Sequence, residues 1–99
     1  MNYIISERAR KEIDGSYTYY LKNSEKAANE FLVELEAFFT KICSNSTIGR
    51  NIYKNNFEVK MKRYKHFTII YKVRKDFIVI GSVFHDKRNP KSKYRSLWS

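Results

Sequence analysis

The spacing of apolar residues changes about halfway along the chain, from a helical period to a strand period. Residues 2–5 form a short apolar run that predicts a first strand. Apolar residues then recur every three or four positions over residues 6–21, and they form one continuous stripe over residues 28–42. These two stretches predict helices, and Ser24 followed by Glu25 is typical of a helix start.

After a polar stretch the period becomes two. Residues 57–63 alternate apolar and charged side chains, residues 67–73 have one continuous apolar face, and residues 77–84 are apolar on both faces, as an interior strand is. The order β-α-α-β-β-β predicts an α+β fold in which a helical hairpin packs on one face of a small antiparallel sheet. The residues predicted to be buried between the two layers are Phe31, Leu35, Phe38, Ile69, Tyr71, Val79 and Val83.

Length and composition favour one domain over residues 1–99, because 42% apolar content supplies a core for a chain of this size. The single cysteine, Cys43, excludes an internal disulfide and a multi-cysteine zinc site, and it lies in an apolar helical stripe as a core thiol would. We expect no metal and no cofactor. Because neither a signal peptide nor a membrane span is recognisable, the expected location is the cytoplasm, away from the membrane.

Charge is distributed unevenly along the chain. Residues 1–43 carry a formal charge of −1, and residues 44–99 carry +11. A charge of this density attracts a polyanion or an acidic protein. Strand alternation places a set of charged residues on the sheet face that the helices leave open, with His85 at the end of the adjoining strand. This predicted basic groove comprises Glu58, Lys60, Lys62, Lys72, Arg74 and Arg88. The alternative is that these are ordinary solvated strand residues.

Several segments together resemble toxins of the RelE/ParE superfamily of bacterial type II toxin–antitoxin systems. They are the helix segment SEKAANEFLVELEAFF, the loop STIGR, and HFTIIYKV followed by FIVIGSVFHDKRNP. The loop is similar to the family's Pro-x-x-Gly-Arg pattern at Gly49 and Arg50, with Ser46 in place of the proline. The last segment resembles the terminal strand of the ParE, or plasmid-stabilisation, branch. The resemblance implies a growth-inhibiting toxin that a short acidic antitoxin, encoded beside it, neutralises.

The superfamily has two known modes of action. RelE-type members resemble metal-independent endoribonucleases, whose reaction needs a base, an acid and cations around a phosphate. Lys60 and Lys62 fall where that branch places strand lysines, and Arg88 and Tyr94 match its terminal arginine and tyrosine. The candidates for proton transfer are His85, since an imidazole titrates near neutral pH, and Glu58 as its partner. The alternative for His85 is a strand-end residue that bonds to backbone. Lys72, Arg74 and Lys87 complete the residues expected to bind phosphate, RNA or another target.

Thr68 separates this chain from the nuclease pattern. Nuclease members of the superfamily place an arginine at this position, and a hydroxyl cannot replace a guanidinium group. The favoured hypothesis is therefore a ParE-like toxin that acts on DNA gyrase. The alternative is a RelE-like, ribosome-dependent mRNA interferase, and a second alternative is a non-toxic nucleic-acid-binding module. A homodimer or a toxin–antitoxin hetero-oligomer is the expected assembly.

Overall fold

The computed structural model describes residues 1–61, 64 and 66–85, which form two helices on a five-stranded sheet. The strand order across the sheet is β1-β5-β4-β3-β2. The elements are β1 (Asn2–Ile5), α1 (Glu7–Leu21), α2 (Glu25–Ser44), β2 (Arg50–Tyr53), β3 (Asn56–Lys60), β4 (Phe67–Val73) and β5 (Phe77–His85). The predicted α+β class and the order of strand, two helices and strands are confirmed.

Serine side chains cap both helices. The Ser6 hydroxyl oxygen accepts a hydrogen bond from the Ala9 backbone N–H at 3.1 Å, and the Ser24 hydroxyl oxygen accepts one from Ala27 at 3.2 Å. Each bond satisfies a backbone donor that has no partner within the helix. The predicted start of α2 at Ser24 is therefore confirmed, and Glu25 lies in its first turn.

The sheet differs from the prediction in two ways. It is mixed, because β1 pairs in parallel with β5, whereas the pairs among β2, β3, β4 and β5 are antiparallel. It also has an additional edge strand, β2, which begins at Arg50, the last residue of the predicted loop STIGR. The short β2 segment is mostly exposed, so it lacks the apolar alternation by which strands are recognised in a sequence.

The core lies between the helical hairpin and one face of the sheet. Leu35 of α2 retains 2% of its surface exposed, and Phe31, Ile69, Tyr71 and Val83 are buried in the same cluster, as predicted. Rings from both layers meet at one end of this core, where Phe31 lies 5.0 Å from Phe67 between ring centroids. Phe38 is partly buried against the cluster.

A β-bulge in β5 changes which side chains face the helices. Ile70 pairs with Ser82 and Tyr71 pairs with Ile80, so Gly81 is an extra residue between two rungs. Ile80, which precedes the bulge in the sequence, points to the core, and Val83, which follows the bulge, points to the core as well. The predicted burial of Val79 in this core is wrong, because Val79 pairs with Lys72 on the other face and is half-buried there.

Helix α1 fastens this bulge to the rest of the fold. The Ser6 hydroxyl donates to the Gly81 carbonyl at 3.0 Å, and the Ser6 N–H donates to the Ile80 carbonyl at 3.0 Å. Glu12 Oε1 accepts from the Ser82 hydroxyl at 2.7 Å and from the Val83 N–H at 3.0 Å. The irregular backbone therefore keeps its hydrogen bonds, as buried polar groups require.

Candidate functional site

The sheet face opposite the helices, called the open face below, carries the polar strand residues predicted for the groove. Lys60 pairs with Thr68, and Asn56 pairs with Lys72, so side chains from β3 and β4 share this face. Lys60 is exposed and Lys72 is half-buried. Arg74 follows β4 in the turn to β5 and is exposed.

Thr68 occupies the middle of the open face. It retains 2% of its surface exposed, and its hydroxyl oxygen accepts a hydrogen bond from Lys60 Nζ at 3.3 Å. The Lys60 ammonium group is thus directed towards a neutral hydroxyl at the position where nuclease members were expected to carry a guanidinium group. A hydroxyl here can orient the lysine but brings no positive charge of its own.

Arg50 and Glu58 form an ion pair across β2 and β3. Arg50 Nε donates to Glu58 Oε1 at 2.9 Å, and Arg50 Nη2 contacts the same oxygen. Cross-strand pairing of the two residues places their side chains on the same face. Arg50, which was predicted to lie in a loop with Gly49, is the first residue of β2.

His85 lies on the other side of the sheet from Lys60. It pairs with Phe67, whose ring is part of the helix-covered core, and the two rings meet edge to face at 5.3 Å between centroids. The His66 ring stacks on His85 at 5.5 Å. The structure therefore does not bring His85 to Glu58, because strand pairing gives the two side chains opposite faces and Arg50 engages the carboxylate.

Tyr71 anchors the loop before β2. Its hydroxyl accepts from the Gly49 N–H at 2.9 Å and donates to the Ser46 carbonyl at 2.8 Å. Burial raises the pKa of Tyr71 above its ordinary value, and the hydrogen bond from Gly49 offsets part of this effect. A Cβ atom at Gly49 would lie 2.7 Å from the Glu58 carbonyl oxygen, so the close approach requires glycine.

Sequence reasoning assigned Tyr71 to the core alone. The available signal was its hydroxyl, because a tyrosine on the apolar face of a buried strand needs a hydrogen-bond partner. Arg8 was also missed, since it belongs to a helix in the half of the chain without excess positive charge. It lies at a cavity on the open face beside Lys72.

Four of the predicted site residues lie outside the described residues. They are Lys62, Lys87, Arg88 and Tyr94. Among the residues that the structure describes, no group of three or more His, Cys, Asp or Glu side chains is placed to hold a metal ion. Within the same residues, neither helix has the length and apolar character needed to cross a membrane.

Comparisons with known proteins identify the family of this chain. No curated protein sequence matches the chain. A solved structure described as "Chromosomal ParDE TA system from P. aeruginosa" has a similar fold, with a TM-score of 0.73 and 16% sequence identity, over 86% of this chain and 95% of that one. The family model described as "ParE toxin of type II toxin-antitoxin system, parDE" matches residues 3–90. The chain therefore belongs to the ParE toxin family of type II toxin–antitoxin systems.

Proposed function

We propose that this chain inhibits bacterial growth by acting on DNA gyrase, and that a short acidic antitoxin neutralises it. The observation that carries the proposal is the match to the ParE toxin family over residues 3–90. The antitoxin is inferred from the same match and from the similar solved structure, which is described as a ParDE toxin–antitoxin system.

The open face favours binding over RNA cleavage. Cleavage needs a proton carrier and cations that reach the same phosphate. His85 pairs with Phe67 on the helix side of the sheet, whereas Lys60 lies on the open face. Thr68, in the middle of that face, offers a hydroxyl in place of a fixed cation. This arrangement supports the gyrase hypothesis over the mRNA interferase.

Positive charge on the open face supplies a surface for a macromolecular target. Lys60 and Lys72 contribute to it, and Arg74 is exposed in the turn that follows β4. The half of the chain that contains these residues carries +11. The electrostatic field of such a positively charged surface accelerates association with an acidic partner. In this proposal Lys62, Lys87 and Arg88 also contact the target, and His85 stabilises the end of β5.

Toxicity is tested in growing cells, and the molecular target is tested with the purified chain. The chain is expressed from an inducible promoter with and without the neighbouring open reading frame, and growth is followed. The purified chain is then added to gyrase supercoiling reactions and, separately, to translating ribosomes with mRNA. We expect growth arrest that coexpression relieves, inhibited supercoiling and intact mRNA.

A double variant, Lys60→Gln with Lys72→Gln, tests the open face. Its matched control removes two exposed cations from the helices, Arg10→Gln with Lys26→Gln. The open-face variant is expected to weaken gyrase inhibition while the control retains it. If the unmodified chain cleaves mRNA and the Arg88→Ala variant does not, the interferase is established instead. Nucleic-acid binding without growth arrest would establish a binding module.

A further inference from the structure

A cavity of about 260 Å³ lies on the open face, between the start of α1 and strands β3, β4 and β5. Its wall is made by residues from all four elements. They include Arg8, Asn56, Ile70, Lys72, Val79 and Gly81. Because β4 and β5 are interior strands, the floor is built on the most securely paired part of the sheet.

The floor of the cavity is aliphatic and continues to an edge of the sheet. Val79 pairs with Lys72 on one side and with Ile4 of the edge strand β1 on the other. Ile4 retains 55% of its surface exposed. Val79 and Ile4 therefore form an apolar strip on the open face, and its outer end is accessible to a partner. Ile70 lines the cavity but is 1% exposed, so it supports the strip from within the sheet.

Two half-buried cations, Arg8 and Lys72, border this strip. Within residues 1–61, 64 and 66–85, neither side chain makes an ion pair or a side-chain hydrogen bond, whereas Lys11 and Arg50 each pair with a glutamate. A partly desolvated cation without an anion is unfavourable, so an incoming carboxylate would gain charge-assisted hydrogen bonds here.

We propose that this cavity binds an aliphatic-acidic peptide segment of a protein partner. An aliphatic side chain of the segment packs on Val79 and Ile4, and a neighbouring carboxylate binds Arg8 and Lys72. The inference rests on the proposed function in so far as the partner is the antitoxin. A further consequence is that the antitoxin and gyrase compete for Lys72, because this residue also belongs to the surface proposed to bind gyrase.

Size and chemistry favour a peptide over a nucleotide or cofactor. The cavity is smaller than the roughly 300–1,000 Å³ of pockets that hold drug-sized ligands, which suits one or two side chains. Among the described residues that line the cavity, Tyr71 is the aromatic one, but its ring stacks on Phe57 at 5.4 Å. Its hydroxyl is hydrogen-bonded to Ser46 and Gly49. Tyr71 therefore does not present a ring on which a base could stack.

The chain's own terminal segment has the wrong charge for this cavity. Residues 86–99 contain five lysines and arginines and one aspartate. Like charges would oppose its insertion between Arg8 and Lys72. An acidic segment from another protein has the complementary charge.

The experiment titrates the full chain, labelled at isoleucine and valine methyl groups, with an acetylated peptide of alternating glutamate and leucine. The expected result is a shift of the Ile4, Ile70 and Val79 methyl signals. Two further peptides, with lysine in place of glutamate and with serine in place of leucine, should bind at least about tenfold more weakly, since each lacks one of the two interactions.

Matched variants test the two cations. Arg8→Gln and Lys72→Gln should each weaken binding by about tenfold, the scale of one charge-assisted hydrogen bond. Arg10→Gln and Lys75→Gln remove exposed cations that are two and three positions away in the sequence, and these variants should leave binding unchanged. Equal effects of the two pairs of variants would overturn the proposal, and so would methyl shifts that leave Ile4, Ile70 and Val79 unchanged.

Failure of this inference can be told apart from failure of the proposed function. Peptide binding is measured on the purified chain, without gyrase, RNA or growth. A chain that arrests growth but does not bind the glutamate-leucine peptide would refute the cavity alone. A chain that binds the peptide but leaves gyrase active would refute the gyrase target alone.

Discussion

The two faces of the sheet differ in the side chains that they carry. On the helix-covered face, alternate residues of β4 such as Phe67 and Ile69 are buried in the core. On the open face, Lys72 of the same strand is half-buried without an ion pair to any described residue. A strand places neighbouring residues on opposite faces, so adjacent positions can be selected for different purposes. Substitutions of the buried side chains should therefore affect folding, and substitutions of the cations on the open face should affect binding.

Truncation of the core on α2 should have the largest effect. Leu35→Ala removes a side chain that is 2% exposed and should lower the free energy of unfolding by about 2–5 kcal/mol. The control is Val33→Ala on the outer side of the same helix, where 64% of the surface is exposed, with a change within about 0.5 kcal/mol. Urea denaturation measures both. Similar losses in the two variants would break the division between buried and exposed positions.

Loss of the Tyr71 hydroxyl should have an intermediate effect. Tyr71→Phe keeps the ring in the core but leaves the Gly49 N–H and the Ser46 carbonyl without their partner. The expected cost is about 1–3 kcal/mol, the penalty of unsatisfied polar groups. Tyr17→Phe is the matched control, because it removes only an exposed hydrogen bond to Asn29 at 3.4 Å, and it should cost less than about 1 kcal/mol. If both variants unfold at the wild-type urea concentration, the hydroxyl does not anchor the loop.

Alkaline pH should destabilise the helix-covered side. Burial raises the pKa values of Tyr71, Tyr3 and Cys43 in the folded chain. Their contribution is present below the ordinary pKa values, about 8.5 for cysteine and 10 for tyrosine, and is lost as pH rises through the higher folded values. The free energy of unfolding should therefore decline above about pH 9. The decline should be smaller in Tyr71→Phe, and an equal decline would remove Tyr71 as a cause.

Neutralising a cation of the open face should have the smallest effect on folding. Lys72→Gln removes a charge that has no ion-pair partner among the described residues, so the free energy of unfolding should change by less than about 0.5 kcal/mol. The same variant is expected to weaken peptide binding by about tenfold. A large loss of stability would mean that Lys72 supports the fold, and the two faces would no longer be separable.

Local patterns in the sequence predicted most of the fold. The continuous stripe on α2 gave Phe31 and Leu35 as core residues, and strand alternation gave Ile69 and Tyr71. These predictions succeed because the hydrophobic period of an element identifies its buried face. The Ser24 cap was recognisable for a similar reason, since its hydrogen bond joins residues three positions apart.

Long-range pairing set the limit of prediction. The parallel pairing of β1 with β5 joins distant segments, and the bulge at Gly81 shifts the register of β5 by one residue. That shift placed Val79 on the open face. The Arg50 and Glu58 pair and the position of His85 likewise depend on strand register, which the sequence pattern alone does not determine.

The parallel pairing of β1 also constrains the order of assembly during synthesis. Ser6 follows the last pair of this register and binds Gly81, 75 positions later. Because the N-terminal strand is made first, it has no partner in the sheet until β5 has left the ribosome. A translation product that stops before residue 77 would also lack Val79 and Gly81, and with them part of the cavity wall. Interrupted synthesis should therefore release fragments that lack both the complete sheet and the surface proposed to bind an acidic partner.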